Sequence, residues 1–298
     1  GKASATDGAH CEVSEALWAM FFDQTVNGAL TSDATDLNIS PSNSNKATVG
    51  VFDLYFVLGG AQQSDRVYTS TEGSGSQELV YKIADCSVNE ISFDFDIDGI
   101  ATVNWSGMGK IITDYGALTF GSGAYATTLV YEGVSNTTGY IRNRVSDLTI
   151  TPSSLNSGTA YVSTLTGGNI TMSNNLTYLT PETLGQVNQP LGHVTGTRSI
   201  GGNFTCYLDN ESNASASMFE DIIEATTDIT NSVSLAFDIG ASSTPYLNLT
   251  MPTCHLEVPT HSIDDVISLE TNFHALPSSI SGTNEITTFA FFGKDVNA

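Results

Sequence analysis

Alternation of apolar and polar residues with a period of two recurs along the chain and predicts β-strands. The clearest case is residues 91–98, where apolar side chains occupy one face and Ser92 and three carboxylates occupy the other. Further strands are predicted at residues 79–86, 100–105, 144–151, 159–165, 169–173, 199–208, 233–237, 247–254 and 267–273. Gly99 and Pro259 break the pattern between strands. We therefore expect a mainly β, antiparallel fold.

Two short helices are predicted among the strands, at residues 14–22 and 215–223. Each begins with a Ser that suits an N-cap, and each has an apolar stripe with i, i+1, i+4, i+5 spacing. The stripes consist of Leu17, Trp18, Phe21 and Phe22 in the first helix and Met218, Phe219, Ile222 and Ile223 in the second. We expect both stripes to pack on strands.

The two helices belong to an internal repeat. A shift of 201 residues maps Ser14 onto Ser215 together with all four stripe positions, and a shift of 168 maps residues 79–86 onto residues 247–254. The difference leaves 33 more residues between helix and strands in the first copy, which we assign to a polar insertion at about residues 31–76. Two matches in the same order favour a duplication over chance.

The repeat predicts two tandem antiparallel β-sandwich or barrel units, each with one packed helix. The first unit covers residues 1–112, a connector covers residues 113–140, and the second unit covers residues 141–298. The first unit has no room for leading strands, so we expect that they are missing from this chain, which begins on Gly1, or that another segment supplies them. An apolar terminal strand at residues 285–292 could pair with a neighbour.

The charge balance narrows the classes of function. The chain has 9 Lys and Arg against 32 Asp and Glu, which gives a formal net charge of −23. Such a chain is unsuited to hold nucleic acid, because phosphate binding needs clustered Lys and Arg. The acidity instead favours solubility or a surface that repels polyanions. No segment approaches the length of a membrane-spanning helix.

Candidate chemistry is sparse. The chain has no nucleophile elbow, phosphate-binding loop or dinucleotide fingerprint, so we predict that it is not an enzyme. The best metal candidates are Cys254, His255, His261, Asp264 and Asp265, but a core cysteine beside surface histidines is the favoured interpretation. Alternation on an exposed face explains the carboxylates of residues 94–98 without calcium. No cofactor is predicted.

The cysteines and glycosylation sequons separate two further classes of protein. Cys11, Cys86, Cys206 and Cys254 are far apart, without a C-x-x-C pair, and buried reduced thiols are favoured over disulfides. Nine N-x-S/T sequons could mark a glycoprotein, but a chain rich in Asn, Ser and Thr produces many by chance. A secreted or surface tandem β-sandwich adhesin or lectin remains the main alternative, and a secretion-tube protein is another.

Residues 192–276 carry a resemblance to a known family. A strand that contains Gly196-Thr197-Arg198 leads into the second helix, a later strand contains Met251-Pro252, and a strand pair closes on Phe273-His274-Ala275-Leu276. This order resembles the tail tube, or major tail, proteins of long-tailed, siphophage-type bacteriophages. The resemblance is close over less than a third of the chain, and the repeat extends it loosely to most of the rest.

The resemblance implies a structural virion protein whose copies close into rings that stack into a tail tube for genome delivery. Members with one unit usually form hexameric rings, so a duplicated unit implies homotrimeric, pseudo-hexameric rings, with hexamers as the other possibility. The implied partners are further copies, the tape measure protein and other tail proteins, while DNA passes through without specific binding. Candidate lumen-facing acidic residues are Asp94, Asp96, Asp98, Asp264, Asp265 and Glu270. An outer solvated face is the other interpretation of these residues.

Overall fold

The computed structural model of the chain describes residues 17–22 apart from 19, 36–39, 49–58, 79–114, 146–179, 190–224, 233–240, 246–263, 267–277, 279 and 285–292. The strands of this part are β1 (Asp36–Ile39), β2 (Phe52–Leu58), β3 (Leu79–Asp96), β4 (Thr102–Met108), β5 (Ile111–Asp114), β6 (Asp147–Pro152), β7 (Tyr161–Ser163), β8 (Leu165–Ser173), β9 (Thr177–Leu179), β10 (Gly192–Val194), β11 (Ser199–Tyr207), β12 (Val233–Ile239), β13 (Tyr246–Leu256), β14 (Thr260–Ile263), β15 (Ile267–Ala275) and β16 (Thr288–Phe292). The helices are α1, described at residues 17, 18, 20 and 21, and α2 (Ser215–Glu224), with a 3-10 turn at Leu155–Gly158.

Fourteen of these strands belong to one sheet. Its path runs β2-β3-β8-β11-β15-β13-β12-β6-β7; β4 and β5 also pair with β3, β14 with β15, and β16 with β13 and β1. β9 and β10 form a separate pair. All strand pairings between described residues are antiparallel. The predicted mainly β, antiparallel fold is confirmed. Neither helix, as far as it is described, has the length and apolarity to cross a membrane.

β3 joins two stretches that the sequence predicts as separate strands. It runs for 18 residues, and its pairing shifts register between Phe52 and Leu54 of β2 and again between Val88 and Glu90 opposite β4. Asp85, near the first shift, has a φ of 52°. Such bulges bend a strand and increase its twist, so one long strand can turn with the sheet.

The sheet folds over a single apolar core. Phe95 of β3 and Phe237 of β12 are far apart along the strand order, yet their ring centroids are 6.0 Å apart. The buried apolar residues of both halves of the chain belong to one cluster. Each large side chain buried in this way contributes about 1.5–3 kcal/mol as an upper estimate, so the core ties the halves together.

The two predicted units share this sheet as well as the core. β8, from the second half, pairs with residues 90–96 of β3, so a segment of the second half lies where we expected leading strands of the first. The segment predicted as an insertion, at about residues 31–76, contains β1 and β2. The terminal strand, which we expected to pair with a neighbour, is corrected: β16 pairs with β13 and β1 of the same chain.

Two hairpins of the sheet have the same register, as an internal repeat would predict. In one, β2 pairs with β3; in the other, β12 pairs with β13, and each pairing has one register shift at the matching place. The matched pairs are Phe52↔Cys86 with Val233↔Cys254, Leu54↔Ile83 with Leu235↔Met251, Phe56↔Tyr81 with Phe237↔Leu249, and Leu58↔Leu79 with Ile239↔Leu247. The β3 residues map onto β13 at the shift of 168 seen in the sequence, and the β2 residues map onto β12 at a shift of 181.

A buried arginine fastens α1 to the sheet. Arg198, 6% exposed, donates from Nε to Oδ1 of Asn174 at 2.8 Å and from Nη2 to the carbonyl oxygen of Phe21 at 3.3 Å. Asn174 in turn donates to the carbonyl oxygens of Phe21 and Val88. The guanidinium carbon lies 5.4 Å from the ring centroids of Phe21 and Phe22. A cation is favourable at a helix C-terminus, where the helix dipole is negative.

Replacing this arginine should destabilise the whole chain. We expect Arg198→Ala to lower the free energy of unfolding by about 3 kcal/mol, because it leaves buried acceptors of Asn174 and Phe21 without the charged donor. Urea unfolding followed by circular dichroism measures the change. The control is Lys110→Ala, which removes a surface cation 3.6 Å from Asp85 and should change little. Equal effects of the two substitutions would contradict the assigned role.

Candidate functional site

The most distinctive surface is the outward side of four neighbouring strand segments, which we call the acidic face. It consists of the outward residues of 90–96 in β3 and of β8, β11 and β15. One row across it contains Asp94, Asn169, Asn203 and Asn272, and the next contains Asp96, Gly167, Thr205 and Glu270. No Lys or Arg occurs in these four segments. Carboxylates therefore dominate the charge of the face.

The alternation of the strands places these polar residues outward. In β3, Ile91, Phe93 and Phe95 are buried while Asp94 and Asp96 are exposed. β15 repeats the pattern with exposed residues at every second position, including Glu270. The inward apolar side chains fix the register, since a slip by one residue would exchange the two faces.

Asparagine side chains orient some of the carboxylates. Asp94 accepts hydrogen bonds from Nδ2 of Asn104 at 3.2 Å and from Nδ2 of Asn169 at 2.5 Å. Asn272 donates to Oε2 of Glu257 at 2.8 Å. Amide donors hold a carboxylate in place without cancelling its charge, so the face is both ordered and negative.

A glycine lets the central strands approach each other. A Cβ on Gly202 of β11 would collide with the backbone carbonyl of Asn169 of β8. Gly167, opposite Asp96 and Thr205, leaves a gap in the second row of the acidic face. The centre of the face therefore carries only small or amide side chains, at Asn169, Asn203, Gly167 and Thr205.

The structure brings together three of the six predicted acidic residues. Asp94, Asp96 and Glu270 lie on the acidic face. Asp98 is exposed in the turn after β3, and Asp264 and Asp265 lie outside the described residues.

Sequence reasoning missed Glu257 and the asparagines of the face. A signal for them existed: Asn is disfavoured in strands, so its recurrence at outward positions of three predicted strands, at Asn104, Asn169 and Asn272, indicates a purpose other than strand formation. Which of these amides meets which carboxylate depends on strand pairing, which the sequence pattern does not give.

The predicted helix stripes differ in their burial. Trp18, Phe21 and Phe22 are buried and Leu17 packs against the same core. In α2, Met218 is buried and Phe219 and Ile222 are partly buried against the core, but Ile223 is 54% exposed. The stripe expected in α2 is therefore wrong at its last position. Within the described residues, α2 packs on β7 and the 3-10 turn and contacts β14 through Phe219 and His261, while Ile223 remains exposed.

Ser215 does not act as the predicted N-cap. It is the first residue of α2, and its hydroxyl accepts from the backbone N–H of Asp209 at 2.8 Å and donates to the carbonyl of Tyr207 at 2.6 Å. The hydroxyl thus ties the helix start to the end of β11. A second tie is the hydrogen bond from the Tyr161 hydroxyl to Asp221; burial, followed by this bond, raises the pKa of Tyr161.

The described cysteines are free thiols in the core. Cys86, Cys206 and Cys254 are buried and unbridged, and Cys11 lies outside the described residues. Burial raises the pKa of Cys206 to about 11 and that of Cys254 to about 12. Cys254 points its sulfur at the carbonyl of Met251, 3.9 Å away. The described His, Cys, Asp and Glu residues form no group of three that could hold a metal ion.

These thiols should react only when the chain unfolds. In a Cys11→Ser background, we expect Ellman's reagent at about pH 8 to label no cysteine of the folded protein, because the three described thiols are buried and the pKa of about 11 at Cys206 leaves roughly one thiolate in a thousand there. Three thiols per chain should appear in denaturant. Fast labelling of the folded protein would contradict the buried, reduced state.

Comparisons with known proteins agree on one class. A family model described as "Phage tail tube protein" matches residues 5–275. The chain is also 29% identical over 210 residues to "Tail tube protein pb6" of Escherichia phage T5, and this match covers 68% of the chain and 44% of that protein. The chain therefore spans less than half the length of this curated relative.

Proposed function

The chain belongs to the phage tail tube protein family, and we propose that its copies close into rings that stack into the tube of a virion tail. Family membership makes it a structural protein of the tail, as the resemblance in residues 192–276 implied. The observation that carries the proposal is the family match over residues 5–275. The match and the buried free thiols both disfavour a disulfide-bonded, secreted adhesin.

The ring is proposed to contain three chains with pseudo-six-fold symmetry. Support comes from the two hairpins, β2–β3 and β12–β13, which share register and the position of one register shift. A chain that carries two copies of one unit supplies two positions of a six-position ring. A ring of six chains is the alternative, in which the repeat plays no part in the symmetry.

The acidic face is proposed to line the lumen. Duplex DNA carries about one negative charge per 1.7 Å of its axis. A lumen with Asp94, Asp96 and Glu270 on its wall would repel this charge, and the genome would slide past without binding. The amides between the carboxylates offer no cationic contact that would slow the DNA. A non-catalytic role follows from this arrangement, in which the protein supplies only a shaped and charged surface.

Further partners follow from a tube in a virion. A tube assembled in this way would meet the tape measure protein inside it during assembly, and other tail proteins at its two ends. The long polar segments of the chain are candidates for contacts between rings or with those proteins.

Electron microscopy of the purified chain tests ring formation directly. We expect negative-stain images to show rings and hollow tubes, with three chains per ring by mass measurement of isolated rings. Six chains per ring would retain the tube and reject the pseudo-symmetry. A chain that stays monomeric at all concentrations would reject the proposed function.

Labelling reagents of different size test whether the acidic face lines the lumen. In tubes assembled from a Cys11→Ser, Glu270→Cys variant, we expect a small maleimide to label the new thiol and a maleimide coupled to a bulky dextran to fail, because only the small reagent enters the lumen. The same variant before assembly is the control and should react with both reagents. Labelling of assembled tubes by the bulky reagent would place Glu270 on the outside.

A further inference from the structure

We propose that copies of this chain dock head to tail through an apolar patch on the first hairpin, which receives the open edge of α2 from the next copy. The patch consists of Leu54, Phe56 and Ile112, and the edge consists of Ile223 with its neighbour Ile222. The inference rests on the proposed function and names the surfaces by which a ring would close. It follows from one contact that the chain makes with itself.

That internal contact joins α1 to the second hairpin. The ring centroid of Phe289 in β16 lies 4.5 Å from that of Trp18 and 5.3 Å from that of Phe22. Trp18 also lines a small cavity together with Ile239 and Leu247 of the second hairpin. A helix from the first copy of the repeat thus covers strands from the second copy.

The buried apolar row of β12, which ends at Ile239 beside the cavity that Trp18 lines, has an exposed counterpart in the first hairpin. In the register that the two hairpins share, Leu54 is equivalent to Leu235 and Phe56 is equivalent to Phe237. Leu235 and Phe237 are 0% exposed, but Leu54 is 39% and Phe56 is 45% exposed. Ile83 of β3 pairs with Leu54 on one side and with Ile112 on the other. Ile112 is 64% exposed and extends the patch. An apolar row that is core in one copy is therefore surface in the other.

The helix that would cover the patch also has an open side. The shift of 201 residues maps Trp18 onto Phe219 and Phe22 onto Ile223. Phe22 is fully buried against Phe289, whereas Ile223 is 54% exposed. The edge of α2 that would match the buried edge of α1 is thus left uncovered.

Each helix makes a ring contact with its own half of the chain at positions that the repeat matches. The ring of Trp18 stacks on that of Phe93 with their centroids 5.3 Å apart. The ring of Phe219 contacts that of His261 edge-on with their centroids 4.2 Å apart. His261 is the residue that the shift of 168 assigns to Phe93. Because each helix keeps the matching contact with its own strands, its other side is presented in a comparable position.

The chain therefore contains one closed contact and two open halves of a second contact of the same kind. One half is the patch on the first hairpin, and the other is the edge of α2. Two different surfaces that complement each other give a head-to-tail association, which forms a closed ring when the rotation between copies closes. The occupant of the patch is thus a second copy of this chain, and the rotation is the one that relates the two halves within a chain.

Single substitutions on either half should block assembly without unfolding the chain. We expect the Ile223→Asp and Phe56→Asp variants each to stay monomeric at about ten times the concentration at which the unaltered chain assembles. Both side chains are exposed in the single chain, so the charge is tolerated there, but it would be buried in the contact between copies. Val162→Asp, which alters a 71% exposed residue of β7, is the matched control and should assemble normally. Analytical ultracentrifugation measures the assembly, and thermal melting confirms that each variant is folded.

Mixing the two blocked variants gives the sharper result. Ile223→Asp keeps an intact patch and Phe56→Asp keeps an intact helix edge, so the mixture should form a dimer and no longer assembly. Absence of this dimer would overturn the inference, as would assembly of either variant alone at the concentration of the unaltered chain. If the unaltered chain still forms rings when either result is obtained, the proposed function stands and only this inference is rejected. An unaltered chain that never forms rings would overturn the proposed function and this inference together.

Discussion

The packing of α1 on the strands of the second half is the contact on which the rest of the structure depends. Trp18 touches Phe93 and Trp105 of its own half and Phe289 of the other. Removing the Trp18 side chain would expose apolar residues of both β16 and the second hairpin. Arg198 and Asn174 hold the helix end in place by hydrogen bonds that also reach β3. One short helix therefore adds a further tie between two halves that already share a sheet and a core.

Local patterns were enough to predict many of the strands and their buried faces. Alternation at residues 91–96 correctly gave the buried and exposed sides of β3, because that pattern depends only on which face meets the core. The match of residues 79–86 with 247–254 has a structural counterpart in two hairpins of identical register. The family resemblance placed on Gly196-Thr197-Arg198 falls on a residue with a structural task, since Arg198 anchors α1.

What the sequence could not show was how distant segments pair. Nothing in the alternation of β3 indicates that β8 lies beside it, and so the halves were expected to be separate units. For the same reason the amide bonds to Asp94 could not be foreseen from the positions of Asn104 and Asn169. The exposure of Ile223 is a similar case, because the helical period identifies an apolar edge and leaves open what covers it.

The pairing of β16 with β1 has a consequence for how the protein is made. These strands lie near opposite ends of the described chain, and β16 also supplies Phe289 to the contact with Trp18. Contacts between residues so distant in sequence form late, because the intervening chain must be closed into a loop first. The contact between Trp18 and Phe289 can therefore form only after β16 has been synthesised. A nascent chain that has not reached β16 lacks this contact, so the surfaces that depend on it are completed late in synthesis.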